Sequence, residues 1–369
     1  MSLTAAVQDF LTHAPPAKRS MNEKHSFVLP ALVEVVGDLP IADLRQGHIK
    51  EFLLTVQKLP PRWTDIRRKE GKTIREIAAQ DWDKTLSLAT YDGTYRASLH
   101  SFLTRSVMEW QDIGFPTTLT TNVPYLGTRT AKVQKQRALT QDEIRTIFFN
   151  EEMERITKSS SKAYRFWLLA IELYTGARVR EICQINPQHD WGCTNGIWWL
   201  RFTTFEGESP DSDVYKSLKT SKPRTIPIHS ELVNAGIVQF LNYLKDNGNT
   251  RLFPQWNATD GDAGSAPSKW VSNYMRRRGI HGVANELGNA VRGSHTFRHT
   301  LLTHGRMNNV NLRCISGHKE STDNAVADGY EDETLLLPLS EMAARLAKLD
   351  YGVPLPHPVA VKLPPSSQQ

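Results

Sequence analysis

The chain of 369 residues contains few cysteines and no long apolar run. Cys183, Cys193 and Cys314 are widely spaced and form no CxxC pair. Three scattered thiols provide neither a disulfide framework nor a metal-binding cluster, so we expect reduced cysteines in a cytoplasmic protein. No stretch of about 18 consecutive apolar residues is present, which argues against a membrane-spanning helix and a membrane partner.

Signatures of several other protein classes are also missing. The sequence has no GxxxxGK[ST] motif, the loop that cradles nucleotide phosphates. No acidic cluster suited to magnesium lies beside the motifs described below, which argues against a two-metal nuclease. The N-terminal residues show no basic start followed by an apolar block, so we expect no secretion signal. We expect neither a metal nor another cofactor.

Basic residues are in modest excess and recur in clusters. The formal net charge is +6 and the pI is about 9.1. The clusters are Arg62 to Lys69, Lys132 to Arg137, Lys216 to Arg224, and Arg276 to Arg278. Clusters spread along the chain are typical of a surface that follows an extended polyanion, although ordinary solvated faces remain the alternative.

The periodicity of apolar residues divides the chain into segments. Apolar residues recur at helical spacing over 27–57 and 94–114, so residues 1–115 are predicted to form a small helical bundle. Residues 116–137 lack this period, contain prolines and end in basic residues, which indicates a linker. A second domain is predicted over 138–350, followed by a proline-rich tail over 351–369 that is either a disordered end or an arm docking on a partner.

The second domain is predicted to combine helices with a few strands. Thr140 and Glu143 form a capping-box pattern that opens a single predicted helix over 143–156. Gly176 interrupts a strongly apolar helical period, which predicts a helix, a turn and a second helix. Residues 196–205 and 225–229 are rich in β-branched and aromatic side chains and are predicted to be strands. The fold class is therefore mainly α with a small β-sheet, an α+β second domain after a helical first domain.

Two motifs in this domain suit an anionic ligand. After Gly176, Arg178 falls in the first turn of a helix, where backbone N–H groups and its guanidinium face the same anion. Glu181 lies one turn further on the same face and is placed to orient a guanidinium. An ordinary surface ion pair is the alternative.

The segment GSHTFRHTLLTHG at 293–305 places His295 and Arg298 on one helix face. His295 and His299 have the spacing of zinc ligands, but no acidic residue lies between them and Arg298 would repel a cation. An arginine and a histidine together suit a phosphodiester, which accepts a bidentate guanidinium and a directed hydrogen bond. His299 and His304 are expected to pack or to face solvent.

Three further features are weak individually: Lys219 before the predicted strand at 225–229, the pair Gly317-His318, and Tyr330. Their order is TGAR, KT followed by RTIP, HTFR, SGH and then Tyr. This order resembles the tyrosine recombinase family, the phage-type integrases. The resemblance covers residues 138–335 and, in outline, the N-terminal bundle, which is similar to the family's core-DNA-binding domain.

The resemblance implies a role for each matching residue. Arg178 and Arg298 would bind the scissile phosphate, with hydrogen bonds from His295 and His318. Lys219 would protonate the departing 5′-oxygen, a role for which Lys222 is the alternative. Tyr330 would attack phosphorus and form a 3′-phosphotyrosyl link, and Glu181 would support Arg178. The gap between Gly317-His318 and Tyr330 is longer than in many members of the family.

The resemblance also implies partners. The chain would be a site-specific recombinase or integrase of a phage or other mobile element, acting as a homo-tetramer on double-stranded DNA, with accessory DNA-bending proteins as possible further partners. The segment 335–369 would pass between neighbouring subunits. The predicted DNA contacts are Lys132, Lys135, Arg137, Lys222, Arg224, Arg276 and Arg277. The alternatives are a dimer-resolving or topoisomerase-like relative with the same chemistry and a non-catalytic DNA-binding protein. A nucleoid-associated location in a bacterial cell is expected.

Overall fold

The computed structural model divides the chain into two compact units, Met1–Val133 and Gln134–Gln369. The residues that the structure describes are 1–13, 19–127, 135–204, 216, 218, 223–258, 262–317 and 338–360. Within these ranges, no helix has both the length and the apolar character needed to cross a bilayer.

The first unit is helical. Its α-helices are α1 (Leu3–His13), α2 (Arg19–Val36), α3 (Gln46–Gln57), α4 (Trp63–Glu70), α5 (Ile74–Ala78), α6 (Leu88–Thr90) and α7 (Ala97–Trp110). A π-helical turn at Tyr91–Arg96 leads into α7, and 3-10 turns lie at Ile41–Asp43 and Gln111–Ile113. Leu99, Phe102 and Leu103 are buried on one face of α7, as the helical spacing predicts. This unit confirms the predicted helical character of the N-terminal part.

The first unit continues beyond residue 115, where the sequence placed the start of a linker. Phe115 and Val123 are buried in the core of the bundle. The backbone N–H of Leu126 donates to Oε1 of Gln57 at 2.6 Å. Side chains from an irregular segment therefore complete this core, a kind of packing that periodicity cannot predict.

The second unit combines ten α-helices with three strands among its described residues. They are α8 (Gln141–Phe148), α9 (Glu151–Thr157), α10 (Tyr164–Thr175), α11 (Val179–Cys183), β1 (Trp191–Thr194), β2 (Ile197–Phe202), β3 (Arg224–Pro227), α12 (Ser230–Asn234), α13 (Ile237–Asp246), α14 (Ser265–Arg277), α15 (His295–Met307), α16 (Arg313–Ser316) and α17 (Leu339–Leu346). The strands form an antiparallel sheet in the order β1-β2-β3. The predicted fold class, mainly helical with a small sheet, is confirmed.

Two local features differ from the sequence prediction. The stretch 143–156, predicted as one helix, is split into α8 and α9. The split occurs at Asn150, whose side chain accepts a hydrogen bond from the N–H of Met153 at 2.9 Å and so caps α9. Strand β1 was not predicted, because its four residues show neither alternation nor β-branched enrichment before the terminal threonine.

The predicted tail packs on the second unit as far as residue 360. Tyr351, Val353 and Leu355 are buried in its core. The N–H of Val359 donates to the carbonyl oxygen of Thr157 at 2.7 Å. The core therefore extends past the predicted domain end at 350, because alternate apolar residues of the tail are buried although the segment has no regular secondary structure.

Candidate active site

Gly176 sets the position of the first predicted catalytic arginine. It follows α10 with a φ of +57°, and its N–H donates to the carbonyl oxygen of Glu172 at 2.9 Å. A Cβ atom at this position would lie 2.9 Å from Cδ2 of Leu301 on α15. Only glycine satisfies both the left-handed conformation and the close approach of α10 to α15. Arg178 therefore starts α11 next to α15.

Glu181 binds two arginines at once. Arg178 Nη1 donates to Glu181 Oε1 at 2.8 Å, and Arg224 Nη2 donates to Glu181 Oε2 at 2.7 Å. The Glu181 side chain is only 2% exposed. Burial raises the pKa of Glu181, but the charges and hydrogen bonds of Arg224 and Arg178 outweigh this and lower it. Glu181 is therefore an ionised carboxylate behind the cationic site.

Arg298 is the most buried cation of this group. It lies on α15, is 3% exposed, and its Nη1 donates to the carbonyl oxygen of Gly176 at 3.1 Å. Burial, followed by the charge of Arg178, lowers the pKa of Arg298 to about 10. The guanidinium remains protonated at neutral pH. Its electrostatic coupling to Arg178 shows that the two arginines belong to one cationic group.

Arg178, His295 and Arg298 meet in one open cavity of about 700 Å³. The cavity is also lined by Lys269 and Arg292, so its walls are strongly basic. Sequence reasoning did not identify these two residues, because a single lysine or arginine outside a recognised motif carries no distinctive spacing. The three predicted catalytic residues that lie within the described ranges are thus brought together.

The other histidines of this segment have packing contacts. His299 contacts the ring of His295 edge-on, with centroids 5.8 Å apart. Burial and then the charge of Arg298 lower the pKa of His299. His304 is 8% exposed, and its Nε2 lies 2.9 Å from the carbonyl oxygen of Leu139. Among the described residues, no three histidine, cysteine or acidic side chains converge in a way that could hold a metal ion.

Arg224 is one of the predicted DNA contacts; its guanidinium pairs with Glu181 and lies 4.3 Å from the ring centroid of Phe202. A Cβ atom on Gly317, whose φ is +72°, would lie 2.9 Å from Cζ of Arg224. Gly317 therefore lies against the guanidinium of Arg224. Arg224 supports the pair of Arg178 and Glu181 from β3.

The remaining predicted DNA contacts divide into three groups. Arg137 pairs with Glu143 at 2.6 Å and Arg277 pairs with Glu152 at 2.8 Å, so both guanidinium groups already have a carboxylate partner. Arg276 donates to Asn273 at 2.8 Å and is exposed, as is Lys135. The predicted DNA contacts Lys132 and Lys222 lie outside the described ranges, as do the predicted catalytic residues Lys219, His318 and Tyr330.

Tyr351, the next tyrosine after Tyr330 in the sequence, is placed away from the cavity. Its hydroxyl donates to the carbonyl oxygen of Leu173 at 2.7 Å, and the residue is 3% exposed. Burial raises the pKa of Tyr351, which disfavours the phenolate that a nucleophile requires. Tyr351 is therefore a core residue.

Three solved structures are similar to this chain. A lambda integrase dimer bound to a core site is 16% identical, with a TM-score of 0.51, and the match covers 90% of this chain and 96% of that chain. A lambda integrase tetramer bound to a Holliday junction is 15% identical, with a TM-score of 0.51 and coverage of 90% and 78%. The Tn1549 transposon integrase in complex with transposon right end DNA is 15% identical, with a TM-score of 0.50 and coverage of 95% and 99%.

At these identities the three likenesses concern the fold. No curated protein sequence matches the chain. The model of the phage integrase family matches residues 137–323. This range spans half of the chain and includes Arg178, Glu181, His295 and Arg298, the residues that form the cationic site described above. The chain belongs to the phage integrase family and is a tyrosine site-specific recombinase.

Proposed function

We propose that this protein cuts and rejoins double-stranded DNA at specific sites of a phage or other mobile element through a 3′-phosphotyrosyl intermediate, using Arg178, Lys219, His295, Arg298, His318 and Tyr330. The observation that carries the proposal is that Arg178, His295 and Arg298 line one open basic cavity while Glu181 holds Arg178 from behind.

The charges of the site suit a phosphodiester that passes through a pentacoordinate transition state. Arg178 and Arg298 are both cationic, and both interact electrostatically with the ionised carboxylate of Glu181. Preorganised cations stabilise the negative charge that builds up on the phosphate oxygens, and removing one such donor costs about 10²- to 10³-fold in rate. His295 in the same cavity supplies a directed hydrogen bond to one of these oxygens.

The proposed reaction is an exchange of phosphoester bonds. The hydroxyl of Tyr330 loses its proton to water and its oxygen bonds to phosphorus. The bond from phosphorus to the 5′-oxygen breaks, and Lys219 gives a proton to that oxygen. A tyrosine hydroxyl has a pKa near 10, so surrounding cations are needed to favour its phenolate at neutral pH. The phosphotyrosyl ester retains the energy of the broken bond, so rejoining requires no nucleotide.

We also propose that the protein acts as a homo-tetramer on paired sites. This part rests on the likeness to the lambda integrase tetramer bound to a Holliday junction. Accessory DNA-bending proteins would then shape the complex. The basic side chains of Lys269 and Arg292 in the cavity wall are suited to the phosphates that flank the scissile one.

A nicked suicide substrate tests the chemistry, because the short fragment with the free 5′-hydroxyl diffuses away after cleavage and the covalent adduct accumulates. We expect wild-type protein and Tyr351→Phe to form the adduct and Tyr330→Phe to bind DNA without forming it. Tyr351→Phe is the matched control, since Tyr351 is buried and its hydroxyl is held by Leu173.

Mass spectrometry of the trapped adduct then identifies the modified tyrosine. An adduct in Tyr330→Phe, or a phosphotyrosyl peptide that lacks Tyr330, would show that the nucleophile is assigned to the wrong residue. A protein that binds its site but forms no adduct in any variant would instead be a DNA-binding protein that kept the fold.

A further inference from the structure

A buried ion pair lies three residues before Lys219 in the connection between β2 and β3. Lys216 Nζ lies 2.6 Å from Asp190 Oδ2, and the two side chains are 4% and 2% exposed. This burial prevents Lys216 from contacting DNA. Lys216 therefore has a structural role in this connection.

Asp190 is itself firmly held. Its Oδ2 accepts a hydrogen bond from the N–H of Asn186 at 2.8 Å, and its Oδ1 lies 3.0 Å from Nδ1 of His189. Its carbonyl oxygen accepts from the N–H of Arg201 on β2 at 2.7 Å. The carboxylate that binds Lys216 is thus fixed to the start of β1 and to β2. It provides a rigid anchor for the chain that approaches Lys219.

Leu218 provides a second anchor. It is 6% exposed and belongs to the hydrophobic core of the second unit, and Lys219 follows it directly in the sequence. A hydrophobic contact alone tolerates small shifts, whereas a buried ion pair is satisfied in one geometry and therefore fixes register. Lys216 and Leu218 together fix the position of the backbone immediately before the proposed general acid.

We propose that the Asp190–Lys216 pair positions Lys219 for protonation of the leaving 5′-oxygen. Asp190 and Lys216 are positioning residues, since neither touches DNA, and this inference rests on the proposed role of Lys219. General acid catalysis contributes about 10²- to 10⁴-fold and requires hydrogen-bond distance to the receiving atom. A shift of about 1 Å in the supporting chain therefore lowers the cleavage rate.

The test uses a DNA substrate in which sulfur replaces the bridging 5′-oxygen at the cleavage site. A thiol has a pKa of about 8.5, far below that of an alcohol, so a 5′-thiolate leaves without a proton from the protein. The variant is the double substitution Asp190→Asn with Lys216→Met. It removes both charges, keeps an acceptor for the N–H of Asn186, and avoids leaving one charge buried without its partner.

We measure single-turnover cleavage at saturating protein, with DNA affinity determined separately. We expect the double variant to cleave the oxygen substrate about 10- to 100-fold more slowly than wild type. With the sulfur substrate its rate should return to within about 3-fold of wild type. Lys219→Ala should show the same rescue, with a larger initial loss.

Glu143→Gln is the matched control for loss of a buried ion pair. Glu143 pairs with Arg137, and the two side chains are 17% and 10% exposed. Whatever rate change it causes should be equal for the two substrates, because no general acid is involved.

The outcomes separate the inference from the proposed function. A double variant that cleaves the oxygen substrate at the wild-type rate overturns the inference. Equal losses on both substrates, with rescue of Lys219→Ala, also overturn it but leave the role of Lys219 intact. Failure of sulfur to rescue Lys219→Ala overturns the role of Lys219 and, with it, this inference. Rescue of Glu143→Gln would show that the sulfur effect is unspecific and overturns the inference as well.

Discussion

Replacing Glu181 by glutamine removes the one charge that holds two arginines of the site. Glu181→Gln keeps the size and the hydrogen-bonding shape of the side chain but leaves Arg178 and Arg224 without a counterion. Three guanidinium groups, including Arg298, would then repel one another, because both neighbours already lower the pKa of Arg298. We expect a loss of stability and a displaced Arg178.

The size of both effects follows from burial. Breaking a buried ion pair costs about 3–5 kcal/mol. Arg178 and Arg224 retain 23% and 13% side-chain exposure, so water partly compensates them. We therefore expect the free energy of unfolding to fall by about 3 kcal/mol, the lower end of that range. A guanidinium displaced by about 1 Å should lower the cleavage rate by about 100-fold, equivalent to about 2.7 kcal/mol of transition-state stabilisation.

The pH dependence of stability gives an independent check on Glu181. The pKa of Glu181 is lower in the folded protein than in the unfolded chain, where it is near 4.5. The contribution of Glu181 to the free energy of unfolding is therefore fully present above pH 4.5 and is lost as the pH falls through the pKa of the folded state. Glu181→Gln should therefore be less stable than wild type at pH 7, and the difference should shrink as the pH falls below about 4.5.

Urea unfolding and single-turnover cleavage of a suicide substrate measure the two effects. Glu152→Gln is the control, since Glu152 also binds two arginines, Arg277 and Arg278, but neither of these arginines lines the cavity. It should lower stability without a comparable loss of cleavage in protein-saturated DNA. Cleavage by Glu181→Gln at the wild-type rate would refute the supporting role of Glu181. So would a loss of cleavage of the same size in Glu152→Gln.

Three further predictions concern the helices around the site. Gly176→Ala should lower the free energy of unfolding by about 1–3 kcal/mol in urea titrations, because it strains a positive φ and brings Cβ against Leu301. Burial raises the pKa of Glu172 in the folded protein well above its unfolded value of 4.5, so the stability of the wild type falls as the pH rises above 4.5. The stability of Glu172→Gln relative to wild type should therefore be higher at pH 8 than at pH 5. Arg298→Lys should keep DNA affinity in gel-shift titrations within about 10-fold but lower suicide-substrate cleavage by at least about 100-fold, since an ammonium cannot reproduce the bidentate guanidinium.

The sequence predicted those parts of the fold that depend on local patterns. Thr140 and Glu143 predicted the start of α8, and the structure has the corresponding hydrogen bond from the N–H of Glu143 to Oγ1 of Thr140 at 3.2 Å. Gly176 predicted the turn between α10 and α11. The sequence did not predict that the hydrophobic cores of the two units include residues after 115 and after 350. These segments are irregular, so their buried residues follow no helical or strand period.

Contacts in the site could be predicted between residues close in the sequence, but not between residues that only the fold brings together. Arg178 and Glu181 are three residues apart on one helix, so their ion pair follows from helical geometry. The pair of Glu181 with Arg224 joins residues 43 apart, and that of Asp190 with Lys216 joins residues 26 apart. Charge clustering marks Arg224 only as one of several basic residues, whereas its bond to Glu181 depends on the pairing of β3 with β2.

Two glutamates are buried in the helices next to the site, and their carboxyl groups have different surroundings. Helices α10 and α11 contain one each, Glu172 and Glu181, but only Glu181 has its pKa lowered by arginine partners. Burial raises the pKa of the Glu172 carboxyl. The guanidinium groups of Arg178, Arg224 and Arg298 outnumber the carboxylate of Glu181, so this cluster keeps a net positive charge. The phosphate carries more negative charge in the transition state than in the ground state. It therefore relieves the repulsion among the three guanidinium groups most fully in the transition state, which favours cleavage.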